Sequence, residues 1–186
     1  MHRPVLALAL VAACAGLMLF PGAVAALEFV RARVLAGELW RLWSGHLVHA
    51  TPRLAFVDLC VLALLGAWWE RRSRVVFLAI LGTSALFASL ALLALTSFER
   101  YTGSSALGSG LFVATALALA LEQRGGLRVL GAVLLALFAA KCVFEASGAQ
   151  GALFAALPAG TLVAAAAHAA GGAGGALVVL LRQRRA

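Results

Sequence analysis

Charge is what this sequence has least of. Only 12% of its 186 residues are Asp, Glu, Lys or Arg, about half the ~25% of an ordinary soluble domain. Together with 64% hydrophobic residues and a mean hydropathy of +1.03, that shortage excludes a soluble globule and a disordered tail. Cysteine is also sparse. Cys14, Cys60 and Cys142 lie in apolar stretches without zinc or redox spacing, so they read as small core residues and a disulfide-built module is excluded. The sequence has no HExxH pair, no Walker loop and no dinucleotide fingerprint, and its pattern pairs no second carboxylate with Asp58. Metal hydrolysis and nucleotide chemistry are therefore unsupported, and neither a metal nor a cofactor is expected.

What the chain does have is apolar length. A membrane span needs roughly 20 apolar residues, so residues 1–186 can form a single membrane domain of about six spans with short loops. The expected spans are Pro4–Ala26, Leu54–Trp69, Val75–Thr96, Ser105–Leu121, Leu127–Glu145 and Ala159–Leu181, which makes an all-α membrane protein. The longest polar-containing loop, Leu27–Arg53, holds Trp40, Trp43, His46 and His49. It reads as an interfacial, partly buried element.

The net charge of +8 does not point to nucleic acid. The basic residues cluster between apolar runs, as the flanks of membrane helices do. Arg3, Arg71, Arg72, Arg74, Arg124, Arg128, Arg182, Arg184 and Arg185 fall on one side, against Arg31, Arg33, Arg41, Arg53 and Arg100 on the other. The richer side is expected in the cytoplasm with both termini, which turns the Trp-rich loop outward. A second reading of the N-terminus is a cleavable signal. His2 and Arg3, an apolar stretch and Ala23-Val24-Ala25 fit a signal peptide, and Val11-Ala12-Ala13-Cys14 loosely fits a lipoprotein box.

Polar side chains inside spans are costly and so are functional candidates. They are Asp58, Ser105, Ser109, Lys141, Glu145 and His168, with His46 and His49 at the outer boundary. Ser105 follows Gly103-Ser104 where the fourth span begins, near unpaired N–H groups and the positive end of a helix dipole. That setting suits a nucleophile whose substrate carbonyl becomes an oxyanion; it also suits a small-residue helix start built for close packing. In the sixth span His168 shares a face with Gly171 and Gly175. Small residues there let the helix approach a neighbour closely enough for an imidazole to reach a hydroxyl, though a packed histidine or a proton relay would look the same. Lys141 and Glu145, one turn apart, read as a neutralising ion pair or as recognition of substrate charge.

These residues resemble the rhomboid intramembrane serine proteases, and among them the rhombosortases. Glu38-Leu39-Trp40-Arg41 is similar to the Trp-Arg signature of the first outer loop. Gly45-His46-Leu47-Val48-His49 with Asp58-Leu59 resembles the histidine-bearing start of span two, and Tyr101-Thr102-Gly103-Ser104-Ser105 the Gly-x-Ser nucleophile motif. Lys141-x-x-x-Glu145 is similar to a fifth-span lysine–glutamate pair, and Ala167-His168-x-x-Gly171-x-x-x-Gly175 to the sixth-span base motif. The resemblance implies a six-transmembrane-helix rhomboid-like bundle in a bacterial inner membrane. It implies a Ser105–His168 dyad without an orienting acid, and oxyanion support from His49 and Asp58. Its implied partners are membrane lipids and the C-terminal Gly-Gly-type tails of secreted proteins, cleaved and transferred to water or an amine. Four departures stand out: Ala106 where the family has Gly, Leu54 where relatives carry a histidine, Asp58 where asparagine is common, and Ser109 where rhombosortases are expected to have a histidine. They leave an inactive rhomboid-like pseudoprotease that binds membrane helices as the alternative. A transporter would be expected to show Gly/Pro-broken half-helices, which the sequence lacks.

Overall fold

The computed structural model describes residues 3–147 and 165–184. In chain order the elements are α1 (Val5–Leu17), α2 (Ala23–Leu27), β1 (Phe29–Val30), α3 (Arg31–Leu35), α4 (Arg41–Ser44), α5 (Pro52–Arg72) and α6 (Arg74–Leu95). They are followed by β2 (Arg100–Tyr101), α7 (Ser105–Glu122), α8 (Gly125–Ala146) and α9 (Ala165–Gln183). Five of these, α5 to α9, are long and apolar enough to cross a membrane.

The first expected span is corrected. The helix stops at Leu17, and the chain turns through Pro21 and Gly22, whose φ of +86° lies in the left-handed region, before α2 begins. Proline has no N–H to continue a helix, and glycine adopts positive φ without a Cβ penalty. The 13 residues of α1 rise only about 20 Å, short of the ~30 Å hydrocarbon core. The second span is longer than expected: Pro52 occupies its first turn and the Thr51 hydroxyl accepts from Leu54 N–H at 3.4 Å. Residues 159–164 of the sixth lie outside the described residues. The fold also departs from all-α at one point, where β1 and β2 pair antiparallel, Phe29 opposite Tyr101.

The helices set up two distinct ends. At one, the Glu70 carboxylate accepts from the free N–H groups of Leu6 (3.1 Å) and Ala7 (2.8 Å), and Arg74 lies 3.3 Å from it. Glu70 thus caps α1 and satisfies donors that a helix start leaves unpaired. Glu122 gathers Arg72 (3.4 Å) and Arg182 (3.9 Å) at the same end. At the other end the first loop is tied down by arginines. Arg31 donates to the carbonyls of Leu92 and Leu93, both at 2.8 Å, and to that of Thr96, closing the C-terminus of α6. Arg41 is buried, bonds Glu38 at 2.5 Å and donates to the Glu28 carbonyl at 2.7 Å; Arg100 pairs with Glu28.

Between the ends, α9 sits against α6, α7 and α8 through glycine. A Cβ on Gly171 would stand 2.4 Å from the Ala106 carbonyl oxygen, and one on Gly175 2.1 Å from that of Gly110. A Cβ on Gly174 would stand 2.8 Å from the Thr83–Ser84 backbone of α6, and one on Gly172 2.8 Å from the Phe138 ring of α8. Backbone therefore meets backbone, which is how membrane helices gain contact without a hydrophobic drive between them. Leu62, Trp69, Phe77, Ile80 and Leu111 fill the space among α5, α6 and α7.

Candidate active site

The strand pair and the start of α7 build the site. Gly103, at φ +119°, turns the chain from β2 into the helix, and its N–H donates to the Gly45 carbonyl at 3.2 Å. Ser104 precedes the helix and its carbonyl accepts from Gly108 N–H at 2.9 Å. Ser105 is the first helical residue, so its hydroxyl lies among N–H groups that have no intrahelical acceptor, at the positive end of the dipole.

The structure brings Ser105 and His168 together, with Ser105 Oγ 2.8 Å from His168 Nε2. The Tyr101 hydroxyl lies 3.3 Å from the same Oγ. Burial pushes the Tyr101 phenol up from its ordinary range, which keeps it a neutral O–H that can donate to the serine oxygen while serine donates to histidine. The approach of α9 to α7 across Gly171 and Gly175 allows this reach: the imidazole lies one turn from the first of these contacts.

His168 has further partners. The resemblance implies no acid beside this histidine, and the structure places Glu145 Oε2 2.8 Å from His168 Nδ1. Lys141 Nζ lies 3.0 Å from the same nitrogen and donates to Glu145 Oε1 at 2.6 Å. The lysine–glutamate pair expected on one helix face is present, and it extends across to a second helix.

His49 and Asp58 lie together behind the start of α7. His49 Nε2 lies 3.1 Å from Ser104 Oγ and accepts from Ser104 N–H at 3.3 Å; Asp58 Oδ2 is 3.3 Å from the same nitrogen. The two contacts to Ser104 fix the residue before Ser105, and Asp58 stands behind His49. A Cβ on Gly103 would lie 3.4 Å from Asp58 Oδ2, so that carboxyl also backs the turn. Trp40 is exposed, as an interfacial aromatic would be, whereas Arg41 is buried in loop contacts. Ala106 is fully buried beside Phe29 and Ala167, so its methyl group is absorbed in packing. Ser109 is buried one turn further along α7, and His46 bonds Ser89 at 3.1 Å, away from the nucleophile.

Tyr101 and Ser104 acquire their places from pairing with distant segments, Phe29 and His49, which no local spacing encodes. Among the described residues no three His, Cys, Asp or Glu side chains gather as metal ligands would. A hydroxyl bonded to an imidazole whose far nitrogen meets a carboxylate is an arrangement suited to nucleophilic acyl transfer. Compared with known protein families and curated proteins, the chain matches no family model and shows no significant relative.

Proposed function

We propose that this protein is an intramembrane serine endopeptidase of the rhomboid type, with Ser105 as nucleophile and His168 as general base. The observation that carries the reading is the 2.8 Å contact between Ser105 Oγ and His168 Nε2 at the start of a membrane-length helix. Ser105 Oγ attacks the scissile carbonyl as its proton passes to His168 Nε2. The tetrahedral oxyanion forms beside the first-turn N–H groups of α7, where fixed dipoles favour developing negative charge. His168 then gives the proton to the leaving amine, the C–N bond breaks, and an acyl-enzyme remains on Ser105. Water or an amine, deprotonated by His168, releases the acyl group.

In this reading the chain crosses a bacterial inner membrane six times, the short α1 included. Both termini then lie on the cytoplasmic side with the arginine-rich end, and Ser105 opens to the periplasm. The substrates are C-terminal tails of secreted proteins: a small-residue motif, an apolar helix and a basic end. Glycine at the cleavage point favours an unwound backbone, because it is among the poorest helix formers.

Labelling with a fluorophosphonate tests the assignment. The reagent is expected to attach to Ser105 in the wild-type protein in membranes, and both Ser105→Ala and His168→Ala should abolish labelling and the processing of a co-expressed tailed substrate. Adduct on another residue, or undiminished processing in either variant, would remove the peptidase assignment.

A further inference from the structure

The geometry points to Glu145 as the positioning carboxylate of a Ser105–His168–Glu145 triad, with Lys141 a competitor for the same imidazole nitrogen that Glu145 holds in check. This inference rests on the peptidase reading and adds to it the control of the base.

The argument starts with the place of Glu145. It is the penultimate residue of α8, where the helix dipole presents its negative end and disfavours a carboxylate. It is also largely buried, its side chain 13% exposed. Local helix energetics therefore speak against this residue at this position, and its compensation comes from two partners: Lys141 one turn back, and His168 across the α8–α9 junction. The α8 helix contributes little else to the interior. Gly131 is its buried residue, seated on the Ala116 and Ala120 backbone of α7.

The two partners of His168 Nδ1 ask for opposite tautomers. A carboxylate at 2.8 Å accepts a proton from Nδ1–H, which leaves Nε2 bare to take the Ser105 proton. An ammonium at 3.0 Å can only donate, which requires a bare Nδ1 and puts the ring proton on Nε2, where it blocks general-base action. When His168 takes the serine proton, the new imidazolium also lies against the lysine charge, and the carboxylate, in contact with both, is their counter-charge. Glu145 thus selects the productive tautomer and stabilises the cation that forms, the part the acid plays in soluble triads. Lys141 holds Glu145 in place through its other oxygen, and left alone it would impose the unproductive ring state.

Two readouts separate this inference from the reading beneath it. In ¹⁵N-histidine NMR of the full chain in micelles, with the His168 signals assigned by His168→Gln, the wild type is expected to carry Nδ1–H. Glu145→Ala is expected to move the proton to Nε2. Glu145→Ala/Lys141→Met removes both claims on Nδ1 and is expected to return a mixture of tautomers. In parallel, the rate of fluorophosphonate labelling at Ser105 should fall about 10²–10⁴-fold in Glu145→Ala, the range seen when triad acids are removed. It should recover at least tenfold in the double variant, and Glu145→Asp should retain more activity than Glu145→Ala. A merely structural ion pair would alter thermal stability and leave the tautomer alone. An Nδ1–H signal unchanged in Glu145→Ala, with Ser105 still labelled at the wild-type rate, overturns the inference and leaves the peptidase standing. A wild-type protein that takes no label at Ser105 overturns both.

Discussion

The buried histidine outside the site shows how a single residue ties stability to pH. His46 Nε2 lies 3.1 Å from Ser89 Oγ, whose own proton goes to the Leu42 carbonyl at 2.7 Å. Ser89 therefore accepts from Nε2–H, and Nδ1 is a bare, buried nitrogen without a partner. Burial of the ring lowers the His46 pKa to about 4 from the ordinary 6.5, against smaller raising contributions from the Ala85 and Gly103 backbone. Above pH 6.5 neither folded nor unfolded chain binds the proton. As pH falls from 6.5 towards 4 the unfolded chain binds it first, so stability is lost through that window, by about 3 kcal/mol in all. Thermal melts of wild type and His46→Gln in micelles should diverge in slope between those pH values, and parallel slopes would refute the assignment. At this scale Ser105 and His168 were legible because a hydroxyl after glycine and an imidazole among small residues are expensive in apolar helices. Tyr101 and Ser104 were not, since each is placed by a partner more than 50 positions away.

At the scale of elements, the glycines of α9 carry the strongest local prediction. Gly171→Ala drives a methyl group to 2.4 Å from a carbonyl oxygen of α7, so the two helices must part. Overpacking of this kind costs about 1–3 kcal/mol. A displacement near 1 Å at a reacting pair costs about 10²-fold in rate. Labelling at Ser105 should drop accordingly, whereas Gly82→Ala in α6, with nothing within 4 Å of its Cβ position, should leave the rate unchanged and the helix slightly more stable. Equal labelling rates in the two variants would show that close approach at Gly171 does not set the reach between α7 and α9. Four membrane-length helices, and the end of the fifth, could be read from apolar runs to within a few residues, because length and hydropathy decide them. The break at Pro21-Gly22 was hidden by the apolar residues on either side, and the β1–β2 pairing by its two-residue length.

For the whole molecule the open question in the sequence was the arginine on both sides. The structure accounts for three of the five arginines on the poorer side: Arg31 caps α6, Arg41 is buried against Glu38 and Glu28, and Arg100 is paired with Glu28. These charges are committed within the fold, while Arg71 and Arg124 at the opposite end stand exposed beside the turns. The proposed orientation is checked by single cysteines in a chain cleared of its own three. Glu99→Cys should react with a membrane-impermeant maleimide from the periplasmic face, and Gln123→Cys only after the inner membrane is permeabilised. The reverse pattern would invert the topology and with it the direction from which tails arrive.

The contact of α9 on α7 has one more consequence. At Gly171 and Gly175 the spacing between two helices is the thickness of bare polypeptide, a length that no side-chain rotamer can adjust. The distance from hydroxyl to imidazole is thereby set by main chain. Leucines and valines on the lipid-facing flanks, Leu64, Val75 and Leu90 among them, are free to drift in size with the surrounding fatty acids while the reacting atoms keep their separation.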